Sequence, residues 1–165
     1  MQKIIVTGGL GFIGSNLIEL LLTKKFKVLN IDKTSYASNI YNVKDFLKNK
    51  HYSFIKANIN DQKKVLKILN KFKPDGIFNL AAETHVDRSI DGPKEFFYSN
   101  TLGVFNLLEA FKKYNKIKQN SKLIHVSTDE VYGDILKGRS SEIWPYKPSS
   151  PYAASKASSD HIVYS

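Results

Sequence analysis

A glycine-rich turn near the start of the chain constrains the fold more than any other feature of the sequence. It occupies residues 7–14, follows the apolar run at residues 3–6, and opens an apolar-periodic segment at residues 15–25. This order predicts a strand, a tight turn and a helix. Glycine allows positive φ, lets a backbone approach a pyrophosphate and lets the helix pack against the strand. Because a helix N-terminus adds free N–H groups and a positive dipole, the turn predicts a dinucleotide phosphate as ligand.

The spacing of the glycines is that of phosphate-binding turns. Two overlapping patterns are present, G-x-G-x-x-G and G-x-x-G-x-x-G, and they share their last two glycines. The glycines that form them are Gly8, Gly9, Gly11 and Gly14. Because such a pattern also occurs in ordinary glycine-rich turns, its surroundings decide its meaning.

An acidic residue after the second apolar run supplies that context. The apolar run at residues 27–31 is followed directly by Asp32. This acid lies 18 residues after Gly14, close to where an acid that binds the ribose is expected. A carboxylate there accepts hydrogen bonds from the ribose 2′-hydroxyl and repels a 2′-phosphate. The sequence therefore predicts NAD in preference to NADP, although Lys33 beside the acid weakens that preference.

The charge balance is basic but does not indicate a nucleic-acid-binding protein. The chain has 25 Lys and Arg residues against 15 Asp and Glu residues, a formal net charge of +10. Only Arg88 and Arg139 are arginines, and no arginine is interleaved with aromatic residues. We expect the lysines to form solvated helix faces, whose positive field would still attract an anionic nucleotide.

The absence of cysteine excludes disulfides, thiolate zinc sites and a cysteine nucleophile. No run of 18 or more apolar residues is present, and Met1 is followed almost at once by the first predicted strand. This leaves no room for a signal peptide, so we expect a cytoplasmic protein.

Apolar runs and helical patterns alternate along the rest of the chain. The predicted strands are residues 53–57, 76–82 and 123–127, and the predicted helices are one that ends at Asn49, one at 61–72 capped by Asp61, one at 93–114 and one from Pro151 onward. Strands that alternate with helices in this way predict a Rossmann-type doubly wound parallel sheet with helices on both faces. At 165 residues we expect one domain.

Groups of polar residues follow the fourth and fifth predicted strands, and another lies at the start of the last helix. Ligands of a doubly wound sheet bind at the carboxyl ends of its strands. The first group is Thr128, Asp129 and Glu130, directly after the fifth strand. The second is Tyr152 with Lys156, four residues apart and so on one face of the last helix. We expect these two groups to carry the chemistry.

The third polar group is a predicted loop at residues 83–90 after the fourth strand. His85 lies there between Glu83 and Asp87, but no metal-ligand spacing such as H-E-x-x-H is present. We therefore expect these side chains to order the loop and expect no metal site. His125, inside the fifth strand, is expected to be structural.

Four segments of the chain, TGGLGFIGSN, NLAAETHVDRSI, STDEVYG and PSSPYAASKASSDHIV, carry a resemblance to a known family. They resemble the extended short-chain dehydrogenases/reductases that act on nucleotide sugars, and among these the dTDP-glucose 4,6-dehydratases. The resemblance extends over residues 1–165. Epimerase relatives usually have small or hydroxyl residues at the positions of Asp129 and Glu130, whereas a dehydration needs two carboxylates.

The resemblance implies an NAD-dependent lyase reaction on dTDP-glucose. Tyr152 would take the proton of the sugar C4 hydroxyl while NAD accepts the C4 hydride, and Thr128 would hydrogen-bond that hydroxyl. Glu130 would then remove the C5 proton, Asp129 in its protonated form would assist loss of the C6 hydroxyl as water, and the hydride would return to C6. Since the ordinary tyrosine pKa is about 10, Lys156 and the oxidised nicotinamide are expected to lower it.

The resemblance also implies a set of binding residues. Those expected near NAD are Gly8, Gly11, Phe12, Ile13, Gly14, Asp32, Lys33, Ser35, Asn58, Ile59, Ala81, Ala82, Tyr152 and Lys156. Thr84 and Thr128 are expected near the sugar. Most relatives have aspartate at the position of Asn58 and often histidine at that of Asn79. The Asn58 amide oxygen can still accept a hydrogen bond near the adenine.

Family members continue for about as many residues again, in a domain that grips the nucleotide and closes over the sugar. The last predicted helix reaches Ser165 without a stop signal, so we expect that domain to be absent and the lone chain to have little or no activity. Three alternatives stay open: another nucleotide-sugar epimerase or decarboxylase, one half of a split enzyme completed by a second chain, and a non-catalytic NAD-binding module. A homodimer is expected for the family.

Overall fold

The structure, a computed structural model, describes residues 1–165 in full. Its strands are β1 (Lys3–Thr7), β2 (Lys27–Asp32), β3 (Tyr52–Lys56), β4 (Gly76–Asn79) and β5 (Lys122–His125). Its α-helices are α1 (Phe12–Thr23), α2 (Gln62–Phe72), α3 (Val86–Asp91), α4 (Pro93–Phe96), α5 (Gly103–Lys118) and α6 (Pro151–Tyr164). A π-helical segment, Phe97–Leu102, joins α4 to α5, and two 3₁₀ helices occupy Ile40–Phe46 and Asp129–Tyr132. No helix is long and apolar enough to cross a membrane.

The five strands form one parallel sheet in the order β3-β2-β1-β4-β5. The prediction of a doubly wound parallel sheet is confirmed. Its register pairs Thr7 with Ile31 on one side and with Asn79 on the other. Because all strands run the same way, the glycine turn and Asp32 lie at the carboxyl edge of the sheet, where such folds bind ligands.

Two apolar cores cover the two faces of the sheet. One contains Ile5, Leu29 and Ile31 together with apolar side chains of α2 and α5. The other contains Ile4, Val6 and Val28 together with side chains of α1. Residues that alternate along β1 and β2 thus enter opposite cores, which is why these strands read as continuous apolar runs.

The chain divides into two compact units. The sheet unit comprises Met1–Ala81 and Asn106–Val126, and so holds all five strands. The helical unit comprises Ala82–Phe105 and Ser127–Ser165, and holds α3, α4, the π-helical segment and α6. We describe each unit by itself.

The helix predicted before Asn49 is a 3₁₀ helix, Ile40–Phe46, rather than an α-helix. Asn39 caps it, since its side chain accepts a hydrogen bond from the Tyr41 N–H. Val43 is fully buried and Phe46 packs against the same core. Residues three apart eclipse one another in a 3₁₀ helix, so this geometry buries both side chains without an α-helical turn.

The predicted loop at residues 83–90 contains the short helix α3, Val86–Asp91. The apolar residues of this helix do not mark its buried face: Ile90 is 63% exposed, and the buried residue is Ser89. The Ser89 hydroxyl donates to the Val86 carbonyl at 2.6 Å. The buried face of this helix is therefore formed by a small polar residue, and a search for apolar periodicity does not detect the helix.

The long predicted helix is continuous from Pro93 to Lys118 but changes its winding at the π-helical segment. Three large apolar residues of this helix at roughly helical spacing, Phe97, Leu102 and Phe105, are 42–46% exposed. The residues that are buried instead are Phe96, Val104, Leu107, Ala110 and Tyr114. A π turn inserts extra backbone and rotates the following residues, so a uniform 3.6-residue period assigns the wrong face.

Candidate active site

The glycine turn of the sheet unit is shaped by close backbone contacts at two of its glycines. Gly8 has φ +70°, and a Cβ there would lie 2.8 Å from the Ala81 nitrogen. A Cβ on Gly14 would collide with the Gly8 carbonyl oxygen. A Cβ on Gly11 would meet only the Gly8 oxygen, at 3.3 Å. Gly8 and Gly14 are therefore required by the fold, whereas Gly11 borders open space.

Helix α1 begins directly after this turn without a side-chain cap. Its N-cap is Gly11, in an extended conformation, and no side chain accepts a hydrogen bond from the first-turn N–H groups. Phe12 and Ile13 are 81% and 62% exposed, although both are large and apolar. An uncapped helix start beside an open glycine fits the pyrophosphate of a dinucleotide, because such a group satisfies the free N–H donors.

Asp32 is buried at the end of β2 and orders the neighbouring loops. Its Oδ2 accepts from the Leu10 N–H at 3.1 Å, and its Oδ1 accepts from the Thr34 N–H at 2.8 Å and the Ser38 hydroxyl at 2.7 Å. A carboxylate offers about four acceptor positions. One position on Oδ2 thus stays available for a ribose hydroxyl, while the other position on Oδ2 holds the glycine turn and Oδ1 holds the loop after β2.

The other predicted cofactor residues of the sheet unit differ in what they can offer. Ile59 is 6% exposed and lies in the core, so only its backbone could contact a ligand. The Asn58 Oδ1 accepts from the Asn60 N–H at 3.0 Å, which engages the oxygen that we expected near an adenine. The Ala81 N–H donates to the Thr7 hydroxyl at 3.2 Å. The half-buried members of this set are Lys33, Ser35, Asn58 and Ala81.

A polar chain crosses three neighbouring strands beneath this edge. The Thr7 hydroxyl donates to the Asn79 Oδ1 at 2.5 Å, and the Asn79 Nδ2 lies 2.9 Å from the His125 Nδ1. An amide nitrogen can only donate, so the His125 Nδ1 acts as the acceptor of this hydrogen bond. The arrangement agrees with a structural role for His125.

In the helical unit, α6 presents Tyr152 and Lys156 one turn apart. Ser150 caps the helix by accepting from the Ala153 N–H at 3.0 Å, and Pro151 occupies the first helical position. Tyr152 is 9% exposed and Lys156 is 4% exposed. The Tyr152 ring packs edge-on against Phe96, with centroids 6.3 Å apart. The capped helix start therefore fixes both predicted catalytic side chains in a buried position.

Burial governs the proton affinity of this pair. It raises the pKa of Tyr152, and the nearby charges of Glu130 and Asp129 raise it further, whereas a hydrogen bond with Thr128 lowers it. It lowers the pKa of Lys156 to about 8, against an opposing effect of Asp160. The predicted lowering of the tyrosine pKa by Lys156 is thus not found among the protein's own groups, because loss of solvation outweighs them.

The two predicted carboxylates follow Thr128 in a 3₁₀ turn, Asp129–Tyr132. The Thr128 hydroxyl caps the turn by accepting from the Glu130 N–H at 3.3 Å. Both carboxylates are exposed, and partial burial followed by the Asp129 charge raises the pKa of Glu130. The resemblance assigns the retained proton to Asp129, whereas the geometry strengthens Glu130 as a proton acceptor.

Asn100, in the π-helical segment, connects two parts of the predicted site and was not among the residues predicted from the sequence. It is 1% exposed; its Oδ1 accepts from the Glu83 N–H at 2.7 Å, and its Nδ2 donates to the Glu83 carbonyl and the Ser155 hydroxyl, both at 2.9 Å. Ser155 in turn donates to the Tyr152 carbonyl at 2.7 Å. Asn100 therefore ties the loop that bears Thr84 to the turn that bears Tyr152. The polar triplet at residues 99–101 inside an apolar helix was the available signal.

Asp160 is a second residue that was missed. Its Oδ2 accepts from the Ser127 hydroxyl and, at 3.2 Å, from the Tyr146 hydroxyl. It lies one helical turn after Lys156 and stabilises that ammonium group. Asp160 therefore connects the segment before Thr128, the proline-rich segment and α6. Its i+4 spacing from Lys156 was visible in the sequence.

The loop before α3 is ordered by its backbone and by Asn100. Glu83 is 6% exposed, Thr84 is exposed and Ala82 is half-buried. His85 adopts φ +97°, and its carbonyl accepts from the Ser89 N–H at 3.1 Å. No three His, Asp or Glu side chains form a group that could hold a metal ion.

The predicted site residues thus fall into two groups. The glycine turn, the start of α1 and Asp32 lie in the sheet unit. Thr128, Asp129, Glu130, Tyr152 and Lys156 lie in the helical unit, and the first four interact through a hydrogen bond or through charge. This set holds a buried phenol, a hydroxyl beside it, an ammonium group one turn away and two acids, which can move protons at a sugar.

The chain is similar to known proteins over almost its whole length. The family model described as GDP-mannose 4,6 dehydratase matches residues 5–165. The dTDP-glucose 4,6-dehydratase of Neisseria meningitidis is 43% identical over 99% of this chain and 48% of its own length.

Two solved structures extend the comparison. The dTDP-glucose 4,6-dehydratase of Streptomyces venezuelae, with NAD bound, has a TM-score of 0.89 and 37% identity over 98% of this chain and 50% of its own. The UDP-glucose 4-epimerase of Thermus thermophilus, also with NAD, has a TM-score of 0.87 and 35% identity over 99% of this chain and 50% of its own.

The chain spans about half the length of the relatives that it matches. The resemblance to dTDP-glucose 4,6-dehydratases that the four sequence segments predicted is confirmed by these matches. Because the family model covers nearly the whole chain, the chain belongs to the family of nucleotide-sugar dehydratases described as GDP-mannose 4,6 dehydratase.

Proposed function

We propose that this chain carries the NAD-binding and proton-transfer residues of a nucleotide-sugar 4,6-dehydratase with dTDP-glucose as substrate. The products would be the 4-keto-6-deoxy sugar nucleotide and water. One observation carries the proposal: Tyr152, its hydrogen-bonding partner Thr128 and the carboxylates Asp129 and Glu130 act on one another within the helical unit. The name of the Neisseria meningitidis relative supports the choice of substrate.

The sheet unit would bind the dinucleotide. The uncapped start of α1 and the open side of Gly11 fit the pyrophosphate, and the remaining acceptor position of Asp32 fits a ribose hydroxyl. NAD bound there would accept a hydride from the sugar and later return it. NAD in the two solved structures of similar fold supports this cofactor.

Oxidation at C4 needs removal of the C4 hydroxyl proton. We assign this to Tyr152, with Thr128 hydrogen-bonding the same hydroxyl so that it points at the base. Lys156, whose pKa of about 8 leaves it mostly protonated at neutral pH, would bind the nicotinamide ribose. Since the protein's own groups leave the pKa of Tyr152 raised, the positive charge of the oxidised nicotinamide would have to favour the ionised tyrosine. Burial of both side chains keeps bulk water from competing for these hydrogen bonds.

Elimination of water across C5–C6 needs a base and an acid. A ketone at C4 acidifies the C5–H bond, and Glu130 would take that proton. Asp129 would give a proton to the C6 hydroxyl, which leaves as water. Partial burial raises the pKa of Glu130, which makes it a stronger base than an isolated glutamate. When the hydride returns to C6, Glu130 would give its proton back to C5, which completes the 4-keto-6-deoxy sugar.

The test combines NAD titration with a single-turnover assay on dTDP-glucose, using the 165-residue chain at a concentration above that of the substrate. We expect NAD binding and only slow conversion to the 4-keto-6-deoxy product, detected by mass; excess protein and a single turnover make the little activity expected of the lone chain measurable. The absence of NAD binding would refute the proposal. NAD binding without any change in the sugar would favour a binding module or one half of a split enzyme.

Epimerisation at C4 is the second candidate, because the Thermus thermophilus structure of similar fold is named a UDP-glucose 4-epimerase. The same assay separates the two, since epimerisation leaves the mass of the sugar unchanged and dehydration lowers it by one water. The adjacent acids Asp129 and Glu130 favour dehydration, because epimerisation needs no proton transfer at C5 or C6.

We further propose that the chain forms a homodimer and works in the cytoplasm. The exposed apolar side chains Phe97, Leu102 and Phe105 of the helical unit support self-association. Light scattering should give the mass of a dimer. A monomer at all concentrations tested would contradict the homodimer and would leave open a partner of different sequence.

A further inference from the structure

A groove of about 880 Å³ lies in the sheet unit, between α2 and residues of β1, β2 and β3. Its lining includes Leu29 and Ile68, which are 3% and 8% exposed, and the partly buried Ile55 and Phe72. None of the residues that line it belongs to the glycine turn, to Asp32 or to the helical unit. The groove is therefore separate from the site described above.

Six lysines line this groove. Lys3 and Lys27 are the first residues of β1 and β2 and lie directly opposite each other in the parallel register. The Lys3 Nζ lies 6.0 Å from the centroid of the Phe72 ring, so this ammonium group reaches the groove. The four lysines on α2 are Lys63, Lys64, Lys67 and Lys71.

Three of the helix lysines form a stripe. Lys64, Lys67 and Lys71 are spaced i, i+3 and i+7, so they share one side of α2 next to the face that holds Ile68. The only acid in the lining is Asp61, at the start of the helix. Asp75 accepts from the Lys3 backbone N–H and is bridged to Lys118 at 2.7 Å. The groove thus carries a strong excess of positive charge.

Like charges held side by side disfavour the folded state. Lysine stems cover apolar surface, but that role does not require six ammonium groups around one groove. A bound anion would remove the repulsion, and the apolar lining would add the burial of a hydrocarbon portion. The volume is in the range of pockets that hold one small molecule.

We infer that this groove binds a small anionic amphiphile, a single molecule with an apolar chain and a phosphate head group. The chain would lie over the partly buried Ile55 and Phe72, and the head group would contact the lysines of α2. Nucleic acid fits less well, because the lining has no arginine and only one aromatic ring. A bilayer fits less well, because the apolar residues line a groove and do not form an exposed face.

The first test compares three probes by calorimetry with the 165-residue chain, all below the micelle concentration. Decyl phosphate carries both parts, inorganic phosphate carries the head alone, and decyl maltoside carries the chain without charge. We expect decyl phosphate to bind at least about tenfold more tightly than either other probe. Equal binding of inorganic phosphate would mean that the site recognises charge alone and would overturn the inference. Equal binding of decyl maltoside would mean that it recognises apolar surface alone, with the same consequence.

The second test changes the charge of the groove. The double variant Lys67→Glu/Lys71→Glu should weaken decyl phosphate binding at least about tenfold, which corresponds to one step of 1.4 kcal/mol. The control Lys112→Glu/Lys113→Glu makes the same change in net charge at exposed positions of α5 outside the groove. Equal weakening in the control would show that only the net charge matters and would overturn the inference.

A substitution at Ser53, an exposed residue in the lining of the groove, tests the same inference without changing the apolar core. Ser53→Glu adds a negative charge within the lining and should abolish measurable binding, whereas Ser53→Leu should preserve it. Circular dichroism and thermal unfolding establish that each variant is folded. Undiminished binding by folded Ser53→Glu would place the amphiphile elsewhere and overturn the inference. Competition by an acidic peptide that displaces decyl phosphate with higher affinity would replace the amphiphile with a protein partner.

Discussion

The sheet unit and the helical unit prepare their functional groups in different ways. In the sheet unit, the groups proposed to bind a dinucleotide are main-chain N–H groups and one carboxylate, and their positions follow from strand ends and from glycines that allow close approach. In the helical unit, the reactive groups are side chains, and two of them, Tyr152 and Lys156, are buried despite being ionisable. Main-chain N–H groups are positioned by the local strand–turn–helix geometry, so little free energy is needed to place them. The reactive side chains are buried polar groups, which residues distant in sequence must hold in position.

The largest effect should come from removing the phenol hydroxyl of the helical unit. We expect Tyr152→Phe to slow oxidation of the sugar by about 10²–10⁴-fold, the range of acid–base catalysis, because no other base contacts the C4 hydroxyl in the proposed reaction. NAD affinity should stay within about threefold of the original, since the sheet unit is unchanged. The measurement is single-turnover conversion of dTDP-glucose beside NAD titration. Unchanged conversion would remove Tyr152 from the chemistry.

Removing one acid should separate two steps that share the helical unit. Glu130→Gln should leave C4 oxidation in place while elimination slows by about 10²-fold or more, because the amide cannot take the C5 proton. Rapid quenching and mass analysis distinguish the 4-keto hexose from the 4-keto-6-deoxy product. Asp129→Asn provides the matched change at the neighbouring acid. Equal loss of oxidation and elimination in Glu130→Gln would contradict its assignment as the C5 base.

The buried ammonium group should make stability depend on pH. The pKa of Lys156 is about 8 in the folded protein and 10.5 ordinarily, so unfolding takes up a proton between these values. The free energy of unfolding should therefore rise with pH from about 8 to about 10, by at most about 3 kcal/mol. Lys156→Met should be more stable at pH 7 and lose this rise.

Urea unfolding at several pH values measures the effect of Lys156. Lys112→Met, at an exposed position of α5, is the control and should retain the rise. A pH dependence that is the same in Lys156→Met and in the control would show that burial of this ammonium group is not costly.

Two glycines of the sheet unit should respond differently to a methyl group. Gly14→Ala should destabilise the fold by about 1–3 kcal/mol, because its Cβ would collide with the Gly8 carbonyl. Gly11→Ala should leave the free energy of unfolding almost unchanged, since its Cβ meets only one atom, at 3.3 Å. It should nevertheless weaken NAD binding, because the added methyl group narrows the open side of the turn. Chemical unfolding and NAD titration test both. Equal destabilisation would mean that Gly11 is packed as closely as Gly14.

The smallest effect should come from the charge one turn after Lys156. Asp160→Asn retains an acceptor for the Ser127 and Tyr146 hydroxyls but removes the charge that favours the ammonium form of Lys156. We expect the pKa of Lys156 to fall by less than about one unit, which is about 1 kcal/mol. NMR titration of the lysine side chain measures it. An unchanged pKa in Asp160→Asn, with the same result in Asp160→Ala, would leave Asp160 only its hydrogen bonds.

Much of the fold and half of the site could be predicted because they depend on local spacing. The run from β1 through Gly14 and the acid at Asp32 specify a strand, a turn and a ligand class within one stretch of chain. Asp61 caps α2 and Ser150 caps α6, each from the residue directly before its helix. The four-residue spacing of Tyr152 and Lys156 placed both on one helical face.

The burial of the long helix could not be predicted in the same way. A π turn changes which residues face inward, and its presence depends on the contacts of Asn100 with Glu83 and Ser155, 17 and 55 residues away in sequence. The proton affinity of Glu130 depends on burial and on Asp129, and that of Lys156 on burial and on Asp160. None of these surroundings is set by neighbouring residues alone.

The sequence by itself determined the parallel sheet and the dinucleotide-type turn, because periodicity and short spacings act within a few residues, and it predicted which side chains react. Only the tertiary structure decided which polar groups are buried, which residues hold them and where the lysines of β1, β2 and α2 converge. Strand order brings together side chains that are far apart along the chain. Desolvation and charge act through space, so their effects follow the fold and not the sequence spacing.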